Sequence, residues 1–164
     1  MRADHFSPDI LDFILLLNQF KVKYLIVGGE AVIYYGYPRL TGDVDFFYEN
    51  TERNIKSLFD ALVEFWDNDI PGINNKEEFA ISNYVIQFGV PPNRIDLMNN
   101  NNIDGIKFKD AWEEKNTEYI IIEKNRVPLY YLGLKHLLIN KTISDRDKDR
   151  DDLSYLNKIE DSTS

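Results

Sequence analysis

The segment that most restricts the fold is Asp43-Val44-Asp45-Phe46-Phe47, where two carboxylates interrupt an apolar, β-prone run. Side chains alternate along a strand, so Asp43 and Asp45 are expected on one face and Val44 and Phe46 on the other. Two carboxylates about 7 Å apart on a strand can together hold a cation such as Mg²⁺. Taken alone, the pair is explained more simply as solvated acids at an exposed strand start. The aromatic residues that follow favour a buried strand and therefore a metal site.

A pair of glycines precedes this strand. A β-prone run from Tyr24 to Val27 stops at Gly28-Gly29, and a helical pattern follows from Ala31. Glycine lets the backbone approach a ligand closely, and the N-terminus of a helix attracts phosphate. The sequence lacks the Gly-Lys-Ser/Thr ending of a Walker A loop. Taken alone, the pair is explained more simply as a tight turn between a strand and a helix.

A third acidic residue, Asp96, lies inside the apolar run Arg94-Ile95-Asp96-Leu97-Met98. Alternation places Arg94, Asp96 and Met98 on one face of this strand. A salt bridge between Asp96 and Arg94 is the simplest explanation of the single acid. Together with the first two aspartates, however, it would complete a set of three metal-binding carboxylates.

The remaining periodicity predicts alternating helices and strands in the order α, β, α, β, α, β, β, α, β, α, α. This order indicates an α/β (α+β) fold with a central mixed sheet flanked by helices. The length of 164 residues fits a single domain spanning residues 1–164. Its core is expected over about residues 22–125 and two C-terminal helices over about residues 129–160. Paired strands are predicted from Asn83 to Val90 and from Arg94 to Met98, and the polar run Asn99 to Asn102 is expected to leave the sheet.

Charge and composition exclude several classes of protein. The net charge is −9, from 19 basic and 28 acidic residues without a basic stripe, so no long nucleic acid is expected as a partner. The chain has no cysteine, and no apolar run approaches the ~18 residues of a membrane span. These features predict a cytoplasmic protein without disulfides.

The order of Gly28-Gly29, Asp43-Val44-Asp45 and the later Asp96 resembles the nucleotidyltransferase superfamily that includes DNA polymerase β. The sequence is most similar to its small bacterial branch, with antibiotic nucleotidyltransferases and AbiEii-type toxins of toxin–antitoxin systems. Further matching stretches run from Arg39 to Asp45 and from Arg146 to Leu153. The resemblance covers roughly residues 22–157.

The resemblance implies an enzyme that uses Mg²⁺ or Mn²⁺ to transfer a nucleoside monophosphate from a nucleoside triphosphate to a hydroxyl acceptor. Asp43 and Asp45 would then bind both metal ions. Asp96 would bind the catalytic metal and help to take the acceptor's proton, which requires only hydrogen-bond reach. The backbone of Gly28 and Gly29 would hold the triphosphate.

Three further residues are predicted to bind the nucleotide: Arg39, Thr41 and Lys135. Arg39 can bind phosphate through two hydrogen bonds, although a role as a turn residue explains it equally well. Related enzymes often place a triphosphate-binding lysine on a late helix, as at Lys135; a solvated helix face is the alternative. Glu30 departs from the family pattern and would weaken binding unless it points away or pairs with Arg39 or a lysine.

Two residues of the C-terminal block, Lys148 and Asp152, stand four apart and are explained by an ordinary helical ion pair. The sequence leaves the role of the block, with Arg146 and Asp149, undetermined.

The acceptor is not defined by the sequence and is a small molecule, a protein side chain or an RNA end. An alternative hypothesis is a weakly catalytic or non-catalytic binding module of a toxin–antitoxin-type pair. In either case a protein partner or a homodimer could complete the acceptor pocket, and no membrane partner is expected. A metal-dependent phosphohydrolase is a third, weaker hypothesis, because the same carboxylates can activate water.

Overall fold

The first helix begins where its sequence predicts. Ser7 is the N-cap, and its Oγ accepts a hydrogen bond of 3.4 Å from the backbone N–H of Ile10, while Pro8 occupies the first turn. A computed structural model describes residues 3–82, 84–99, 103 and 105–163. In these ranges the helices are α1 (Pro8–Gln19), α2 (Gly28–Tyr34), α3 (Glu52–Phe65), α4 (Phe108–Glu113), α5 (Leu134–Ser144) and α6 (Asp147–Thr163). None of these helices combines the length and the apolar character needed to cross a bilayer.

The strands form a mixed sheet in the order β3-β4-β2-β1-β6-β5. Two neighbouring pairs are parallel, β2 with β4 and β1 with β6, and the other three are antiparallel. The prediction of a mixed sheet flanked by helices is thereby confirmed. The strands are β1 (Tyr24–Val27), β2 (Asp43–Tyr48), β3 (Ile86–Phe88), β4 (Arg94–Met98), β5 (Asn116–Ile122) and β6 (Asn125–Tyr131).

The two faces of the sheet differ in chemistry. On one face Phe46 packs edge-to-face against Phe13 of α1, with ring centroids 5.2 Å apart, and Leu97 lies beside Phe46 in the strand register. On the opposite face the same register pairs Asp45 with Asp96 and places both beside the cleft described below. One face therefore forms a hydrophobic core, and the other carries the candidate site.

The prediction that the C-terminal helices start at about residue 129 is wrong, because Leu129–Tyr131 ends strand β6 and α5 begins only at Leu134. The β5–β6 hairpin turns at Glu123 and Lys124, both of which have positive φ (49° and 71°). Glycine and asparagine normally mark such turns, so these two residues give no turn signal. The sheet therefore extends to residue 131 rather than 125, and the C-terminal helices span residues 134–163.

Several predicted boundaries also change. The strand predicted from Asn83 to Val90 is shorter, spanning Ile86–Phe88, and Asn83 lies outside the described residues. The predicted hairpin of this strand with β4 is confirmed as an antiparallel pair. Residues 100–102 of the predicted polar run also lie outside the described residues.

Candidate metal and nucleotide site

A cleft of about 490 Å³ lies over the polar face of the central strands. The parallel register of β2 and β4 creates its floor by pairing Asp45 with Asp96 and Asp43 with Arg94. Neighbouring strands run about 4.8 Å apart, so residues paired in this way lie side by side on one face. The glycine turn after β1 lines the same cleft, because Val27 is the register partner of Asp45.

The three predicted aspartates converge in this cleft. One carboxylate oxygen from each of Asp43, Asp45 and Asp96 lies within 4.8 Å of the other two. Clustered carboxylate oxygens are the ligands that Mg²⁺ and Mn²⁺ prefer. The donor set therefore fits a hard divalent cation, and no histidine or cysteine belongs to it.

Arg94 binds two of the three carboxylates. Its Nη2 donates to Asp43 Oδ2 at 2.5 Å, and its Nε donates to Asp96 Oδ1 at 2.8 Å. A further bond of 3.1 Å from Nη2 makes the contact with Asp96 bidentate. The salt bridge proposed as the simple explanation of Asp96 is thus present, but it lies inside the carboxylate cluster rather than replacing it. Gln87 Nε2 adds a hydrogen bond of 3.2 Å to Asp96.

Asp45 differs from the other two carboxylates. Within the described part of the chain, no basic side chain forms an ion pair with it. Burial, together with the neighbouring charges of Asp43 and Asp96, raises the pKa of Asp45 from its ordinary 3.8 to about 7. An additional cation in the cleft would remove both the desolvation cost and the repulsion.

This pKa leads to a prediction for metal binding at different pH values. A proton and a metal ion compete for the Asp45 carboxylate, so Mn²⁺ should bind about tenfold more weakly at pH 6 than at pH 8. Because folding raises the pKa of Asp45, this carboxyl contributes to the stability of the metal-free protein. The contribution is fully present below about pH 4 and is lost as the pH rises through 7. The increase in Tm on adding Mn²⁺ should therefore be larger at pH 8. Equal Mn²⁺ affinities at the two pH values, measured by titration calorimetry, would contradict the prediction.

The two predicted glycines allow close approaches within the site. Gly28 has a φ of +63°, and a Cβ built there would overlap the Asp45 carboxylate. A Cβ on Gly29 would lie 2.8 Å from Thr41 Oγ1 and 3.1 Å from an Arg39 guanidinium nitrogen. Their lack of side chains therefore lets Asp45, Thr41 and Arg39 come against the start of α2.

Replacing Gly28 by alanine separates backbone strain from the contact with the carboxylate. Gly28→Ala should cost about 1–2 kcal/mol of stability for its left-handed φ, and it should also weaken Mn²⁺ binding by displacing Asp45. Gly72→Ala is a matched control, because Gly72 has a φ of +73° and nothing within 4 Å of an added Cβ. Urea unfolding should show similar losses for both variants, whereas only Gly28→Ala should lose Mn²⁺ affinity. Equal Mn²⁺ binding by the two variants would contradict this role of Gly28.

Two of the three predicted nucleotide-binding side chains also line the cleft. Thr41 Oγ1 donates to Asp43 Oδ1 at 2.9 Å and so orients this carboxylate. Arg39 forms an ion pair with Asp152, at 3.0 Å from Nε to Oδ1, and contributes to the cleft wall. The structure thus brings Arg39 and Thr41 to the aspartates, with Arg39 held by a helix far along the chain.

The third predicted side chain, Lys135, does not reach the cleft. Its side chain is 70% exposed and lies 3.6 Å from Glu114. Three other cationic residues line the cleft and form what we call its cationic wall: Lys141, Arg146 and Lys148. The sequence does not single them out as nucleotide-binding. Helix α5 begins later than predicted, and the cleft is lined by its C-terminal half rather than its first turn.

Lys141, which lines the cleft, also belongs to a buried ionic cluster. Its Nζ lies 3.0 Å from both Asp149 and Asp152, and the three residues are only 2%, 0% and 1% exposed. The predicted pair between Lys148 and Asp152 does not form, since Asp152 binds Lys141 and Arg39 instead. The C-terminal block therefore connects α6 both to α5 and to the loop before β2.

The charge of Asp149 is firmly fixed. Burial alone would raise its pKa, but hydrogen bonds from Arg146, Ser144 and Lys141 hold the pKa well below its usual range. Arg146 contributes bonds of 2.8 Å from Nε and 3.1 Å from its backbone nitrogen. Asp149 thus stays ionised and orients Lys141 and Arg146 at the edge of the cleft. One signal for this arrangement is present in the sequence, because Asp149, Asp152 and Leu156 recur at helical spacing.

Glu30, the residue that departs from the family pattern, points away from the cleft. Its Oε2 lies 2.6 Å from His5 Nε2, and the residue is only 7% exposed and does not line the cleft. Burial raises the pKa of Glu30, and the contact with His5 opposes this shift. The partner of Glu30 is therefore a histidine rather than Arg39 or a lysine.

Comparisons with known proteins identify the family and a similar fold. The family described as "Nucleotidyltransferase of unknown function (DUF6036)" matches residues 10–160. No curated protein matches the sequence. Among solved structures, an antigenic nucleotidyltransferase-like protein from Paracoccidioides brasiliensis has a similar fold, with a TM-score of 0.53 and 19% sequence identity. The alignment covers 94% of this chain and 77% of the fungal one.

Proposed function

Since the chain belongs to the family described as nucleotidyltransferase of unknown function, we propose that it transfers a nucleoside monophosphate from a nucleoside triphosphate to a hydroxyl acceptor. The observation that carries this proposal is the convergence of Asp43, Asp45 and Asp96, one of which lacks a cationic partner within the described residues. Such a cluster serves a reaction that needs bound cations more than it needs a protein nucleophile.

The three aspartates would hold Mg²⁺ or Mn²⁺, because they offer only hard oxygen ligands at mutual distances of 4.8 Å or less. When bound, the metal stabilises charge on the attacking and leaving oxygens. Thr41 and Gln87 orient Asp43 and Asp96 through single hydrogen bonds.

The triphosphate would lie between the glycine turn and the cationic wall. The backbone of Gly28 and Gly29 lines one side of the cleft, and Lys141, Arg146 and Lys148 line another. Lysine and arginine bind phosphate oxygens through charge-assisted hydrogen bonds. Asp149 and Asp152 would act as positioning residues, because they fix the cations of this wall.

Asp96 is suited to accept the proton of the attacking hydroxyl. It lies on the cleft floor, and hydrogen-bond reach is the geometric requirement for a general base. Its bidentate contact with Arg94 fixes the orientation of the carboxylate.

The test uses each of the four nucleoside triphosphates, labelled at the α-phosphate, with Mg²⁺ or Mn²⁺ and a panel of hydroxyl acceptors. We expect label to become covalently attached to an acceptor, with one pyrophosphate released per transfer, and both signals to disappear with EDTA. Phosphate release without any labelled product would instead identify a hydrolase. Failure to bind any triphosphate in the presence of metal would contradict the proposal.

The placement in the AbiEii-type branch, and a role in a toxin–antitoxin pair, stay predictions from the order of the motifs. The family description specifies neither.

A further inference from the structure

The two sides of the cleft differ in charge. The side formed by α5 and the start of α6 carries Lys141, Arg146 and Lys148. The side formed by β3, β4 and their flanking segments carries Val85, Met98 and Ile103. If the triphosphate lies on the cationic side, the apolar side is left for the acceptor.

Exposed apolar side chains stand at both ends of β3 and in the loop before β2. Val85 precedes β3 and is 41% exposed, and Val90 follows β3 and is 74% exposed. Leu40 is 95% exposed, in a loop whose Gly42 packs close to Pro91 of the β3–β4 hairpin. Of these, Val85 lines the cleft itself, and exposed apolar side chains beside a polar cleft indicate a binding surface.

The backbone of this surface suits a polypeptide. Strand β3 is at the edge of the sheet, so one of its sides has no strand partner within the described residues. An edge strand presents free N–H and C=O groups, which an extended peptide can pair with as an added strand. Gln87 of β3 is the register partner of Asp96, so a peptide on this edge would lie two strand spacings, about 10 Å, from β4 and Asp96.

The charge distribution is unfavourable for an RNA end. Contacts with nucleic acid depend on neutralising phosphates with lysine or arginine. Of the described residues that line the cleft on this side, only Arg94 is cationic, and it is bound to Asp43 and Asp96.

We propose that the acceptor is a polypeptide, docked along the edge of β3, whose tyrosine hydroxyl is flanked by uncharged apolar residues, because tyrosine is the hydroxyl side chain long enough to reach across β3. This inference rests on the proposed function. In the transfer the hydroxyl oxygen forms a bond to the α-phosphorus, and the bond from that phosphorus to the bridging oxygen breaks. Pyrophosphate leaves with the electron pair, the hydroxyl proton passes to Asp96, and the product is a phosphodiester of the side chain.

The experiment compares three synthetic acceptors: peptides with a tyrosine between apolar residues, the same peptides with acidic flanks, and short RNAs with a free 3′ hydroxyl. Each is incubated with the full chain, Mn²⁺ and α-labelled triphosphates. We expect labelling of the apolar-flanked peptides at least tenfold above that of the other two. Val85→Asp and Val90→Asp should lower peptide labelling about tenfold by raising the peptide KM, while the Kd for the triphosphate is unchanged.

The matched control is Ile121→Asp, which places the same charge on another exposed apolar position, 58% exposed on edge strand β5. It should label peptides as the wild type does. Three results would each overturn the acceptor assignment alone. They are preferential labelling of RNA, peptide labelling by the Val85 and Val90 variants that equals the wild type's, and no peptide labelling despite bound triphosphate. Failure of the wild-type chain to bind triphosphate with Mn²⁺ would overturn the proposed function, and this inference with it.

Discussion

Replacing Asp45 by asparagine is expected to abolish nucleotidyl transfer without unfolding the protein. Asparagine has almost the same shape but no charge, so the carboxylate cluster loses one ligand and one negative charge. We expect the rate of pyrophosphate release to fall about a thousandfold or more, equivalent to about 4 kcal/mol of barrier. Pyrophosphate release from γ-labelled triphosphate with saturating Mn²⁺ measures this effect.

The stability of the same variant should change in the opposite direction. At pH 8 the wild-type carboxylate is ionised although burial and its neighbours raise its pKa to about 7, so its charge opposes folding in the absence of metal. Asp45→Asn removes that charge and should have a Tm equal to or above that of the metal-free wild type. Asp12→Asn, at an exposed position of α1, is the control and should change neither activity nor Tm. A variant that transfers normally, or that loses activity only because it unfolds, would contradict the role assigned to Asp45.

The second large effect is expected at Lys141. Lys141→Met removes the cation that lies 3.0 Å from both Asp149 and Asp152, leaving their buried carboxylates less well compensated. Breaking a buried ion pair on one side typically costs about 3–5 kcal/mol. Because Arg146 and Arg39 still bind the two aspartates, we expect a loss near the lower end of this range.

Urea unfolding measures this loss, and Lys148→Met is the matched control. Lys148 lines the same cleft but is exposed, so its replacement should change stability by less than about 0.5 kcal/mol. Equal stability losses in the two variants would contradict the role of Lys141 in joining α5 to α6. Asp149→Asn should destabilise as well, because it leaves Lys141 and Arg146 with fewer partners.

Much of the fold follows from local patterns in the sequence. The apolar periodicity of α1 and α3, the caps at Ser7 and Thr51, and the alternation in β2 and β4 each correspond to a described element. The sequence does not predict strand β6, because its hairpin turns at Glu123 and Lys124, whose side chains do not signal left-handed φ. The conformational preferences of these two residues therefore do not predict the turn, which the pairing of β5 with β6 imposes.

The candidate site was predictable only in part. Alternation alone places Asp43 and Asp45 on one face, but the parallel register that brings Asp96 beside Asp45 depends on tertiary structure. The resemblance places the expected lysine at Lys135, whereas the structure places Lys141 at the cleft. A buried lysine between two aspartates is hard to predict, because charged residues are rarely fully buried unless they are paired.

The proposed nucleotidyl transfer depends above all on the three aspartates binding a cation together. Titration of Mn²⁺ followed by electron paramagnetic resonance, with a triphosphate present, tests this directly in the wild type and in the Asp43→Asn, Asp45→Asn, Asp96→Asn triple variant. We predict a saturable loss of the free-Mn²⁺ signal for the wild type that the triple variant lacks, measured against nucleotide alone. Equal Mn²⁺ binding by the wild type and a folded triple variant would contradict the assignment of the metal site.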